Sequence, residues 1–254
     1  MVKTKTNEKP LALKVELVKQ VYKNEKTQTR RLFANDLIIN QDPNRYRLDG
    51  LFNLEEDKQS HIKKDGLYAC FHDLKLDVSV EPILCPYGKK GDLLWVREPW
   101  AKVPRTAYWH DPTIPHIEKD SWWYIFKASW ERSTAGFSWK SSRFMPKEAA
   151  RTWLRIKDVK VERLHSISTE DIKAEGVRVP VSERGGVLFV LGKADSPFKF
   201  MPESYQNGSK EGVTEHDFMF AHWASLWCEI HGKANWLFNP WVWVIEFEIV
   251  AYSN

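Results

Sequence analysis

Residues 151–164, RTWLRIKDVKVERL, hold the reading that decides the fold. Apolar and polar residues alternate along them, as on a strand with one buried face. Midway the alternation changes phase: Leu154 and Ile156 occupy even positions, Val159 and Val161 odd ones. Side chains on a strand repeat every two residues, so a one-residue slip turns the apolar set to the other face. A β-bulge near Lys157–Asp158 absorbs such a slip and bends the strand. Sharp bends of this sort belong in small curled barrels.

Toward higher numbers, Ser168 is placed to cap a short helix, with Glu170 and Asp171 in its first turn and Gly176 as its stop. Residues 178–213 carry five Gly and three Pro between polar clusters, the composition of a surface insertion, with a small hairpin at 187–191. Thr214 and Asp217 open a second helix that carries Phe220, Trp223, Trp227 and Ile230 on one stripe and closes at Gly232. In the final strand Trp241, Trp243, Ile245, Phe247 and Ile249 face one way, and Glu246 and Glu248 the other.

Toward lower numbers, PYGKKGD at 86–92 is dense in turn residues. LLWVREPW follows, with Leu94 and Val96 alternating with Trp95 and Arg97, and Pro99 ends that strand. Further strands are expected at 122–128 (WWYIFKA), at 67–71 (LYACF) and around 76–84. Residues 34–66 are loop-like and read as a second surface insertion. ALKVELVKQVYK at 12–23 begins as a strand and continues as a short helix. Regular βαβ alternation is absent, so the class expected is α+β, a barrel-like sheet with flanking short helices, not a doubly wound sheet. No dinucleotide fingerprint, P-loop, zinc-finger spacing or internal repeat interrupts that reading.

The 254 residues suffice for one large domain, and an apolar fraction of 43% with 28% charged residues is that of an ordinary globular protein. Thirteen Trp are unusual; most belong in the core, and a minority are suited to stack on bases in a cleft. The net charge of +4 tolerates a polyanionic partner without demanding one. Positive charge is concentrated between Lys23 and Arg31, where Lys23, Lys26, Arg30 and Arg31 stand against Glu25 alone. Cys70, Cys85 and Cys228 form no disulfide framework and favour a reducing compartment. Cys228 and His231 have a ligand-like spacing but lack a second pair, so no metal is expected. The polar start and the lack of a long apolar run point to a cytoplasmic protein with no membrane partner.

Asn24-Glu25-Lys26-Thr27-Gln28-Thr29-Arg30-Arg31 resembles the Gly-x-Lys-x-x-x-x-Arg signature of the ASCH family of PUA-like domains, with Asn in place of Gly. Asn tolerates a left-handed backbone better than most residues, so the turn survives the exchange. CPYGKKGDLLWVREPW at 85–100, WKSSRFMP at 139–146, LHSISTEDIKAEGV at 164–177 and NPWVWVIEFEIV at 239–250 are similar to the longer ASCH-like proteins of phages and prophages. The resemblance spans nearly the whole chain. It implies a single PUA-like domain over 1–254, a small β-barrel with insertions at about 34–66 and 178–213. It also implies a cleft beside the signature for RNA or a modified nucleoside, and no cofactor. Some small members resemble amidohydrolases that deacylate N4-acylated cytidine; others are linked to RNA cleavage.

Amide hydrolysis needs a nucleophile, a base and an acid for the departing amine. Lys26 and Thr29 stand three apart, close enough to share one face of a helical turn. A lysine in a dry pocket holds its proton weakly enough to activate a hydroxyl. Glu175, matched through the KAEGV segment, is the third member, and it sits at the disfavoured negative end of a helix. The alternative for Lys26 is a phosphate contact without chemistry. Arg30 and Arg31 suit phosphate oxygens, and Arg143 adds another contact; Arg31 alternatively braces the signature turn through a buried pair. Trp95, Glu98 and Trp100 are expected to line the cleft. His165 is isolated, and with His216 and His222 elsewhere it gives little basis for a ribonuclease. Three readings follow: an amidohydrolase using Lys26, Thr29 and Glu175; a binding module for RNA or a modified base; and a phage accessory protein whose partner is another protein.

Overall fold

The computed structural model describes residues 6–34, 38–57, 62–108, 115–131, 137–178, 197–207 and 211–250. These form an α+β protein, mostly sheet with few helices. The strands are β1 Glu8–Ala12, β2 Gln28–Leu32, β3 Tyr46–Leu54, β4 Gly66–Asp73, β5 Val78–Ser79, β6 Ile83–Leu84, β7 Leu93–Arg97, β8 Trp100–Pro104, β9 His116–Lys119, β10 Trp122–Phe126, β11 Trp153–Arg163 and β12 Trp241–Val250. The helices are α1 Val15–Tyr22, α2 Thr169–Ala174, α3 Glu203–Gln206, α4 Glu215–His231 and α5 Lys233–Leu237. The chain divides into two compact units. One comprises Met1–Asn24, Pro86–Asp158 and Phe247–Asn254; the other comprises Glu25–Cys85 and Val159–Glu246.

In the first unit β1 runs parallel to β7, from Glu8 opposite Leu93 to Ala12 opposite Arg97. The start of β11 pairs antiparallel with β7, Trp153 opposite Trp95. The turn before β7 is built on Asp92. This buried carboxylate accepts from the backbone N–H of Asn7 and of Lys89, both at 3.0 Å. Gly88 takes φ +105°, and a Cβ there would lie 2.5 Å from an Asp92 oxygen, so only glycine closes this turn. A second, antiparallel sheet has the order β8-β10-β9. Its middle strand WWYIF lacks polar alternation because both faces are covered. Tyr124 and Phe126 join a cluster with Trp95, Trp100, Met145 and Trp153, while Trp123 and Ile125 pack with Ala101 and Val103. Trp95 and Trp100, expected to line a cleft, are thus core residues at 9% and 5% exposure. Their rings fill the space between strands, leaving no open face for a base.

In the second unit β2 pairs antiparallel with β12, from Gln28 opposite Glu246 to Leu32 opposite Val242. Its core is the cluster of Leu164, Ile172, Trp223, Trp227, Trp236 and Val244 with their neighbours. Helix α4 starts at a capping box in which the Thr214 hydroxyl accepts from the Asp217 N–H and Asp217 accepts from the Thr214 N–H. It ends at Gly232, with φ +85°.

Two expectations fail here. Residues 34–66 are not only loop: β3 occupies nine of them and pairs along β4, with a register shift between Leu48 and Gly50. The strand is half-buried and carries Arg47, Asp49 and Asn53, which conceals its periodicity. In the segment read as a surface insertion at 178–213, Met201 is buried and Phe200 packs on the α4 cluster; the hairpin expected at 187–191 lies outside the described residues. The phase slip of β11 is present in its burial, with Leu154 and Ile156, then Val159 and Val161, turned inward. The strand passes from one unit to the other between Asp158 and Val159, within the slip.

Candidate functional site

Asn24 adopts φ +56°, the left-handed conformation that a glycine would otherwise supply. The chain then turns so that Lys26 forms an isolated antiparallel bridge with Glu175. The Thr27 N–H donates to the Ala174 carbonyl at 2.8 Å, seating this segment on the end of α2. Helix α2 has the expected limits. The Ser168 hydroxyl accepts from the Asp171 N–H, and Glu175 is the C-cap before Gly176 at φ +83°.

The Lys26 ammonium donates to Glu175 Oε2 at 2.7 Å and to the Glu175 carbonyl at 2.9 Å. Lys26 is 2% exposed and Glu175 3%. The other carboxylate oxygen of Glu175 accepts from Arg30 Nη1 at 3.4 Å. Arg30 also donates to Gln28 Oε1 at 2.5 Å, and its Nη2 reaches Glu162 and Asp171, each at 3.1 Å. Gln28 closes the network by donating to Asp171 at 3.0 Å. Burial lowers the pKa of Lys26 below 10.5; Glu175 opposes this, and the charges of Arg31 and Arg30 reinforce it. At Asp171 burial works to raise the pKa, but hydrogen bonds from Gln28 and Arg30 prevail and lower it. The result is an ammonium with a weakened hold on its proton, hydrogen-bonded to a carboxylate in a dry site. Such a pair can take up and release protons.

Lys26 and Glu175 are therefore brought together as expected. Thr29 is placed differently. It is buried on β2, opposite Ile245, because the residues after Thr27 are extended and not helical. On an extended chain Lys26, Gln28 and Arg30 share one side, whereas Thr29 is offset from them by an odd number of residues. The helical-turn argument for pairing Lys26 with Thr29 is thus overturned. Arg30 does not serve as a surface anion contact: its side chain has no exposure and its terminal nitrogens are committed to carboxylates and Gln28. Arg31 is half-buried opposite Trp243. Arg143 is exposed in a 3-10 turn of the other unit, where its carbonyl accepts from Arg97 at 2.6 Å.

Glu98 does not line a cleft; it has no exposure at all. Arg151 grips it with two hydrogen bonds of 2.8 Å, and the Tyr22 hydroxyl donates to it at 3.0 Å while accepting from Thr152 at 3.1 Å. Burial, then the Glu98 charge, pushes the Tyr22 hydroxyl well above its usual pKa. Arg151 also lies over the Phe126 ring at 4.1 Å, so this group ties α1 to the core of its unit. The His165 ring lies tilted against Trp236, with 4.2 Å between centroids, and burial lowers its pKa. His216 meets the Thr169 hydroxyl at 2.9 Å, and Cys228 is buried in the α4 core. Among the described residues no cluster of three His, Cys, Asp or Glu could hold a metal, and no helix is long and apolar enough to cross a membrane.

Sequence reasoning missed Gln28, Glu162 and Asp171. The signal was present in the alternation of Lys26, Gln28 and Arg30 and in the four-residue spacing of Asp171 and Glu175, which puts two acids on one side of a short helix. No family model, curated protein or solved structure matches this chain.

Proposed function

We propose that the chain is an ASCH-type, PUA-like protein that binds RNA or a modified nucleoside and hydrolyses the amide of an N4-acylated cytidine. The carrying observation is the Lys26–Glu175 pair, 2.7 Å apart with both side chains buried. A buried ion pair contributes little net stability, whereas perturbed ionisable groups concentrate at functional sites. In this reading the Lys26 amine accepts a proton from the water that attacks the acyl carbon. Glu175 relays a proton to the departing N4 amine. Arg30 holds Glu175 through its second oxygen. The α+β, sheet-rich architecture suits the small barrel proposed for the domain.

A second reading, a module that binds a base without chemistry, is favoured by the burial of Lys26 and by the commitment of its ammonium to Glu175. One experiment separates the two. The protein and Lys26→Ala are incubated with a panel of N4-acylated cytidines, free and within short RNA, and deacylation is followed by mass. Turnover by the wild type and none by the variant is the outcome expected. No turnover across the panel, with RNA still bound, refutes hydrolysis of these substrates and leaves the binding module.

A further inference from the structure

Arg178 follows the turn that ends α2, and its residue is exposed. Its guanidinium is nevertheless fixed at three points. Nη1 donates to the carbonyls of Lys173 and Val177, both at 2.9 Å, and Nη2 donates to the carbonyl of Glu25 at 3.3 Å. The first two carbonyls belong to the end of α2 and the turn after it. The third belongs to the residue immediately before Lys26. A planar fork spans two chain segments in a way that a point charge on a flexible stem does not.

Lys26 lies just outside the ladder between β2 and β12, which begins at Gln28 opposite Glu246. Its backbone is held instead through the end of α2, by the bridge to Glu175 and the Thr27–Ala174 hydrogen bond. Arg178 adds a clamp on the other side of Lys26, at Glu25. Its positive charge also stands at the negative end of the α2 dipole, where the Glu175 carboxylate is electrostatically disfavoured.

We propose that Arg178 is a positioning residue, a latch that clamps the Glu25–Lys26 segment to the end of α2 and thereby sets how tightly the Lys26–Glu175 pair is closed to water and ligand. This rests on reading that pair as the chemical centre. The latch and the residues it joins all lie in the second unit. The charged groups that act on Lys26 are Glu175 from α2 and Arg30 and Arg31 from β2, with Glu162 and Asp171 behind Arg30.

The test compares wild type, Arg178→Ala and Arg178→Lys by two readouts that need no substrate. Amide hydrogen exchange of Thr27 reports the seating of the segment. The pH–rate profile of Lys26 acylation by acetic anhydride, followed by peptide mass, reports how dry the amine is. In Arg178→Ala, Thr27 exchange rises by about tenfold or more, the loss of a charged hydrogen bond, and the acylation midpoint moves up toward 10.5. Arg178→Lys keeps the charge but not the fork, and it behaves like Arg178→Ala. Unchanged exchange and an unchanged profile in Arg178→Ala overturn the latch, as does a lysine variant indistinguishable from wild type. Shifts in both readouts alongside a wild type that deacylates nothing support the latch and remove the amidohydrolase reading instead.

Discussion

Glu175 has two cationic partners, Lys26 at 2.7 Å and Arg30 at 3.4 Å, whereas the carboxylate partner of Lys26 is Glu175 alone among the described residues. Removing either member of the pair should therefore have unequal consequences. Glu175→Gln keeps the shape but strands a buried ammonium, a loss of about 3–5 kcal/mol for a broken buried pair. Lys26→Met leaves Glu175 its contact with Arg30, and the loss is that of a charged hydrogen bond, about 1–3 kcal/mol. Urea unfolding at pH 7 measures both. The pH dependence supplies a second check. Lys26 has a lowered pKa in the folded protein, so between that value and 10.5 the unfolded chain carries the extra proton, and stability rises with pH across that window. Lys26→Met lacks this rise. In Glu175→Gln the carboxylate no longer supports the ammonium, the pKa falls further, and the window opens at lower pH. Its deficit against wild type then shrinks as pH climbs toward the wild-type window. Equal costs for the two variants, or a deficit of Glu175→Gln that ignores pH, would refute the reasoning.

Two further predictions concern the turn before Lys26 and the Arg45–Asp73 pair. At Asn24, with φ +56°, Asn24→Ala should lose about 1 kcal/mol in urea unfolding, while Asn24→Gly stays within about 0.5 kcal/mol of wild type. Asp73, hydrogen-bonded to Arg45 and to the N–H groups of Leu76 and Lys75, has its pKa lowered from 3.8 to about 2. Its contribution is therefore present above the ordinary value and is lost as pH falls through about 2, so an acid unfolding series should steepen there in wild type and not in Asp73→Asn.

Elements set by local chemistry were legible in the sequence. The Thr214–Asp217 box, the Ser168 cap and the Gly176 and Gly232 stops each act within four residues, and all four are found in place. The tolerance of Asn24 for a left-handed turn belongs to the same class. What depends on distant partners was not legible. β3 is a strand because β4 lies beside it, and its own alternation is broken by Gly50 and by exposed charges. Trp95 and Trp100 were expected to line a cleft, yet both are packed in one cluster with Tyr124, Phe126, Met145 and Trp153, residues distant in the sequence. At the site, Lys26 and Glu175 were identified through the resemblance. The role of Arg30 was not, because basic residues near a signature suggest phosphate, and only the fold brings Glu162, Asp171 and Glu175 around it.

The interleaving of the two units along the chain has a consequence for synthesis. On a ribosome every residue of the Lys26 unit, through Glu246, emerges before residues 247–250 do. That unit can assemble its β2–β12 ladder and seat Lys26 on α2 while the other still waits for its closing piece, including Glu248, the partner of Arg155 at 3.6 Å. The unit that carries the proposed chemistry is thus able to be whole before the unit that holds β1 and β7.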